Sequence, residues 1–135
     1  MEQLKQLLAE SKVIAVYGAS TNPQRSSCRI AKYLMAKGYT VYPVSKVYAG
    51  KRLGGREILP SITDVPEPIH ILDVFRRSEF LDEISIDTLK VKPKVVWLQL
   101  GISNPEVEQK FVDAGIQVVK DVCIYNIHSG KEGNI

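Results

Sequence analysis

Cysteine and histidine are scarce in this chain, with two of each among 135 residues. Cys28 and Cys123 are isolated, so there is no CxxC pair and no disulfide framework. His70 and His128 are far apart, which argues against a zinc site. Long apolar runs are missing as well, and none approaches the length that crosses a bilayer. Residues 1–12 mix leucines with Glu2, Lys5 and Glu10 and have no apolar core of a signal peptide. A reduced cytoplasmic protein without membrane contact is the expectation. The formal net charge is only +3. That mild balance suits an anionic small molecule, whereas nucleic acid would call for a clustered basic stripe. The hydrophobic fraction, 44%, is ordinary for a folded domain, and the length fits one domain spanning residues 1–135.

What is present is an alternation of short apolar runs and helical stripes. Leu4, Leu7 and Leu8 recur at helical spacing. Val13-Ile14-Ala15-Val16-Tyr17 is a continuous run of the kind found in strands buried on both faces. Ile30, Ala31, Leu34 and Met35 mark a helix that stops at Gly38, followed by a second strand over residues 39–44. Residues 45–68 are rich in Gly and Pro; they read either as a functional loop or as a plain crossover with a helical turn near residues 62–65. A third strand covers residues 69–74. Ser78 is placed to cap the next helix, with Phe80, Leu81 and Ile84 on its inner face. Val95-Val96-Trp97-Leu98 is the fourth strand. Ser103 with Glu106 fits a capping box, and Asn104 before Pro105 is an equally good helix start. Val107, Phe111 and Val112 then face inward. Residues 116–119 form the fifth strand, and the tail from Asp121 is a short helix or loop. This order predicts an α/β fold: a Rossmann-like, doubly wound, five-stranded parallel sheet in a single domain. Ligands of such sheets sit beyond the carboxyl ends of the strands.

The first of those ends reads Gly18-Ala19-Ser20-Thr21-Asn22-Pro23-Gln24-Arg25-Ser26-Ser27. Gly18 permits a tight turn, Ser20, Thr21, Ser26 and Ser27 offer hydroxyls, Arg25 offers a cationic fork, and the helix contributes free N–H groups. Together they make an anion cradle; the plainer alternative is a polar loop in which Ser26 caps the helix. It is not the dinucleotide fingerprint, because only Gly18 stands where G-x-G-x-x-G has three glycines. The second strand ends Val44-Ser45-Lys46 without the acidic residue that binds the ribose hydroxyls of NAD. Ser45 and Lys46 favour a ribose phosphate, as in CoA or NADP, although Lys46 reads equally well as a solvated surface lysine. The third strand ends Val74-Phe75-Arg76-Arg77, offering an aromatic flank and a phosphate fork. In the plainer reading Phe75 is core and both arginines are solvated. The fourth ends Leu98-Gln99-Leu100-Gly101, where Gln99 can meet a ligand amide and Gly101 allows close approach; Trp97 is core.

Residues able to catalyse are few. His70 falls on the side away from the site, His128 has no identifiable partner, Tyr17 lies inside a buried strand, and no Tyr-x-x-x-Lys pair suits a short-chain dehydrogenase. Cys28 and Cys123 read as small hydrophobes or as functional thiols.

At these residues the chain resembles the small stand-alone Rossmann-type CoA-binding proteins often called YccU-like. The matching strings are Val16-Tyr17-Gly18-Ala19-Ser20, Asn22-Pro23, Arg25-Ser26, Gly38-Tyr39-Thr40-Val41-Tyr42-Pro43-Val44, Asp73-Val74-Phe75-Arg76-Arg77, Val95-Val96-Trp97-Leu98-Gln99-Leu100-Gly101 and Asp121-Val122-Cys123. The chain is also similar to the CoA-binding domain of the succinyl-CoA ligase alpha subunit. The resemblance implies that coenzyme A runs across the strand ends. The pyrophosphate would lie on the first loop, the ribose phosphate near Lys46, and the rest of the ligand between the third and fourth strands. It does not carry over the ligase's activity, whose phosphorylated histidine lies in another domain. The family usually reads Pro-Val-Asn-Pro where this chain has Pro43-Val44-Ser45-Lys46, and Arg where it has Val122. Three functions follow as expectations. The first is a non-catalytic carrier, sensor or partner module for CoA or acyl-CoA, alone or as a homodimer. The second is an NADP-dependent reductase or small acyl-CoA enzyme, and the third an interaction module that has lost its ligand.

Overall fold

The structure, a computed structural model, describes residues 2–131. Apolar runs too short for helices become five parallel strands: β1 (Val13–Tyr17), β2 (Thr40–Val44), β5 (Ile71–Val74), β6 (Val95–Leu98) and β7 (Gln117–Lys120). Their spatial order is β2-β1-β5-β6-β7, so the chain winds outward in both directions from the β1/β5 pair. Between and around them lie α1 (Glu2–Glu10), α2 (Ser26–Ala36), α3 (Leu81–Val91), α4 (Pro105–Asp113) and α5 (Ile124–Ser129). No described helix is long and apolar enough to cross a membrane.

The period-2 pleat sorts the strand residues between two cores. Ile14, Val16, Ile71, Val95, Trp97 and Val119 pack with Leu8 of α1, Ile30 and Leu34 of α2, and Ile124 and Ile127 of α5. Ala15, Leu72, Val74, Val96 and Leu98 face the other way onto Leu81, Ile84, Val107 and Phe111 of α3 and α4. Both faces of the sheet are therefore covered, which explains why the strands read as continuous apolar runs rather than alternating ones. Trp97 is fully buried, and its Nε1 donates to the Val122 carbonyl at 2.9 Å, tying β6 to the segment that leads into α5.

Several local expectations are corrected. Residues 45–68 are not a plain crossover: a two-stranded hairpin, β3 (Arg52–Leu53) and β4 (Arg56–Glu57), turns at Gly54-Gly55, whose φ angles of 57° and 88° suit a hairpin turn. The helical turn expected near residues 62–65 does form, as a 3-10 turn at Ile62–Asp64. Ser78 does not cap a helix; its Oγ accepts from Ser103 N at 2.8 Å, joining the loops after β5 and β6. Of the two starts open for α4, Asn104 is the cap, its Oδ1 accepting from Val107 N at 3.3 Å. The carboxylate that reaches back to Asn104 N is Glu108, not Glu106. Val112 is 54% exposed rather than inward, because it lies off the stripe set by Val107 and Phe111, which are four residues apart. Part of the expected tail forms α5; residues 132–135 lie outside the described residues.

Candidate functional site

The carboxyl ends of β1, β2, β5 and β6 meet on one edge of the sheet, at the switch point between β1 and β5. Gly18 follows β1 with φ +91°, and a Cβ there would lie 3.0 Å from the Phe75 carbonyl oxygen and 3.2 Å from Arg76 Cγ. Only glycine lets these two chain segments come so close. The Gly18 and Ala19 amides both donate to the Val44 carbonyl, at 2.9 and 3.1 Å, so they fasten the loop to β2. Residues 20–25 then fold on themselves. Ser20 Oγ accepts from Asn22 N, Asn22 Oδ1 accepts from Gln24 N, and the Asn22 carbonyl accepts from Arg25 N. Arg29 Nη1 braces the turn by donating to the Pro23 carbonyl.

α2 starts with Arg25 in extended conformation at its cap and no side-chain cap bond, so the alternative in which Ser26 caps it is not what forms. The Ser26 and Ser27 amides open the helix and have no acceptor within it. They face a cleft of about 500 Å³ lined by Gly18, Ala19, Ser20, Gln24, Arg25, Ser26, Ser27, Ser45, Val47, Tyr48, Phe75 and Arg76. The Arg76 guanidinium lies 3.9 Å from the Phe80 ring centroid. Neither Arg25 nor Arg76 makes an ion pair among the described residues. Two guanidinium groups outside ion-pair distance of any described carboxylate thus stand with the first turn of α2 around one cleft, an arrangement able to hold an anion.

A second cleft, about 300 Å³, continues from the first; Ser26, Phe75 and Arg76 stand in both. Its remaining walls are Ile30, Arg77, Gln99, Leu100, Ile102, Cys123 and Asn126. Gln99 is held by Asp73, which is fully buried in β5 and does not itself line the cleft. Its Oδ1 accepts from Gln99 Nε2 at 2.5 Å, and its Oδ2 has no hydrogen-bond partner among the described residues. Burial pushes this carboxyl up to about 8, against the opposing pull of the Gln99 hydrogen bond.

Of the residues singled out in the sequence, Gly18, Ala19, Ser20, Arg25, Ser26, Ser27, Ser45, Phe75 and Arg76 line the first cleft, and Gln99 and Leu100 the second. Thr21 and Asn22 lie in the self-bonded turn and line neither cleft. Val44, Val74 and Leu98 end their strands at this edge with fully buried side chains. Gly101, at φ +82°, turns the chain after β6. Lys46 pairs with Glu83 at 2.6 Å and borders small depressions beside the first cleft. The hydrogen bond to Glu83 raises the ammonium's pKa and lowers that of the carboxylate. Tyr17 is not enclosed in its strand: it reaches the same depressions, and burial raises its phenol. Gln24, Val47 and Tyr48 were not foreseen in the first cleft, nor Ile30, Ile102 and Asn126 in the second. The sequence signals for Val47 and Tyr48 were limited to their place just after a strand end. His70, at the opposite edge, accepts from Lys12 N and Val13 N through Nδ1. His128 meets Tyr33 Oη at 2.7 Å, and burial lowers its pKa.

The CoA binding domain family matches residues 12–129. The chain belongs to that family. It is 35% identical to the uncharacterized protein YneT of Bacillus subtilis over 127 residues, 94% of this chain and 93% of that one. Among solved structures, a protein of Thermus thermophilus superposes with a TM-score of 0.92 at 40% identity, covering 96% of each chain. A hypothetical protein of Pyrococcus horikoshii gives 0.89 at 34% identity, covering 96% of this chain and 89% of that one. The match therefore includes the β1–α2 loop, the β5 loop and the segment entering α5, which carry both clefts of this family member.

Proposed function

We propose that the protein binds coenzyme A or an acyl-CoA reversibly, as a carrier, sensor or partner module. The observation that carries this reading is the continuity of two clefts of different character. The first offers serines, helix amides and the unpaired Arg25 and Arg76, which suit a pyrophosphate and a ribose phosphate. The second offers Ile30, Phe75, Leu100 and Ile102 with the polar Gln99, which suit the pantetheine arm with its apolar stretch and amides. Gly18 supports the fit, since a side chain there would meet Phe75 and Arg76 where the clefts join. Ser45, buried at the end of β2 where NAD-binding sheets carry a carboxylate, leaves the ribose end open to a phosphate.

Titration calorimetry with CoA, dephospho-CoA, NAD and NADP at one salt concentration tests the reading. CoA is expected to bind, with a loss of roughly tenfold to a hundredfold when the ribose phosphate is absent, as for one charge-assisted contact. Binding of NADP without CoA would replace this proposal with a nicotinamide-linked function. No binding of any of the four would leave a fold without its ligand.

A further inference from the structure

Rossmann-type sheets that bind NAD hold the ribose hydroxyls with a carboxylate near the end of the second strand. Here β2 leads into Ser45-Lys46, and no acid follows in the chain before Glu57. The fold nevertheless brings a carboxylate to that place from another element. Glu83 stands in the first turn of α3, and its Oε1 meets Lys46 Nζ at 2.6 Å. Its Oε2 has no hydrogen bond among the described residues. The pair borders a depression of about 50 Å³ that shares Gly18, Ser45, Val47 and Arg76 with the first cleft, so the depression is a side pocket of that cleft. About 10–15 Å³ is enough for one water. The depression therefore takes a few small polar atoms, such as the hydroxyl edge of a sugar, and not the whole ring. Its charges differ from those of the cleft. Glu83 is ionised at neutral pH, because the hydrogen bond from Lys46 lowers its pKa and Arg76 adds a weaker pull. A carboxylate accepts from a hydroxyl and repels a phosphate, whereas the Arg76 guanidinium attracts a phosphate. Lys46 is already engaged by Glu83, which leaves Arg76 as the cation facing both spaces.

We propose that Glu83 selects the position of the phosphate on the ribose: it accepts the free 2′-hydroxyl in the depression, while the 3′-phosphate stays in the first cleft with Arg76. This rests on the CoA reading above and narrows it. A ribose phosphorylated at the 3′ position, as in CoA, satisfies both spaces at once. One phosphorylated at the 2′ position, as in NADP, presses its phosphate against a carboxylate. Lys46 acts through Glu83, holding the carboxylate in place and tempering its charge, and does not bind the phosphate itself.

The test is calorimetry with adenosine 3′,5′-bisphosphate and adenosine 2′,5′-bisphosphate, which share base and charge and differ only in where the ribose phosphate sits. CoA is titrated into the wild type in parallel. The wild type is expected to bind the 3′,5′ isomer more tightly by roughly tenfold or more, as for one charge-assisted hydrogen bond gained and one repulsion avoided. In Glu83→Ala, at an exposed position of α3, the 3′,5′ isomer should weaken and the 2′,5′ isomer should tighten, bringing the two within roughly threefold. Opposite shifts of two isomers are not what a loosened fold produces. Glu83→Gln keeps an acceptor and removes the charge, so it should hold the 3′,5′ isomer better than Glu83→Ala does while still admitting the 2′,5′ isomer. If CoA binds but the wild type takes both isomers equally, prefers the 2′,5′ isomer or binds neither, the role of Glu83 is overturned and CoA binding stands. The same holds if both isomers shift in one direction in Glu83→Ala. If neither CoA nor either isomer binds, both readings fall.

Discussion

Replacing Asp73 with asparagine is expected to stabilise the protein by an amount that grows with pH. The carboxyl lies in the middle of β5, entirely buried, with one oxygen on Gln99 and the other unpaired. Its pKa is displaced upward from 3.8 to about 8 by burial. Between those values the folded state holds a proton that the unfolded state has released, so stability falls as pH rises through this window. The slope contributed by one group is at most about 1.4 kcal/mol per pH unit. The loss is complete above the folded value and totals at most roughly 6 kcal/mol, a large share of the 5–15 kcal/mol typical of a domain. Asparagine keeps the shape and removes the ionisation. Its new N–H group can meet Gln99 once that amide turns its oxygen inward, an adjustment that does not vary with pH. Between pH 5 and 7 the gap between variant and wild type should widen by nearly 3 kcal/mol, roughly one to two molar in urea midpoint. Urea unfolding of both proteins from pH 5 to 9 measures it. A gap that stays constant would mean that Asp73 ionises without penalty, and the unpaired oxygen would then have a partner.

Arg25→Ala and Arg76→Ala should each weaken CoA by roughly tenfold to a hundredfold by calorimetry, because both guanidinium groups stand in the first cleft without an ion pair. Lys46→Ala should cost less than roughly threefold in the same assay, since the exposed ammonium is paired with Glu83 beside the cleft. Gly18→Ala should cost about 2 kcal/mol or more in urea unfolding and impair binding, as positive φ and contact with Phe75 act together. Gly101→Ala, also at positive φ but with nothing within 4 Å, should cost only about 1 kcal/mol. Trp97→Phe should cost about 1–3 kcal/mol by leaving the Val122 carbonyl without its donor.

The sheet was legible because its strands are buried on both faces, so Val13 to Tyr17 and Val95 to Leu98 read as unbroken apolar runs. The first cleft was legible where it is local: Gly18, Arg25 and Ser26 stand on one loop, and topology fixes which edge that loop occupies. What stayed hidden depends on folding at a distance. Two-residue strands such as Arg52–Leu53 show no alternation, so only the Gly-Gly pair hinted at the hairpin. Ile30 and Cys123 share a cleft because α2 and α5 pack on one face of the sheet, which no short window reveals. Ser78 looked like a cap because serine is a good one, but its oxygen serves the amide of Ser103 across two loops.

Phe75 and Arg76 belong to both clefts, and the clefts together touch the start of α2, the end of β2, the β5 loop and the start of α5. A molecule lying along them would act as a clasp between segments that otherwise open independently. α5 is only six residues long, and amides in such a short element exchange by local fraying. With the clasp in place, α5 cannot fray without loosening the ligand, so its exchange would slow together with that of the first turn of α2. At the opposite edge, the Val13 amide held by His70 would gain only what ligand adds to global stability, about 2.7 kcal/mol at a hundred times Kd. The breathing of one short helix would thus report how much ligand surrounds the protein.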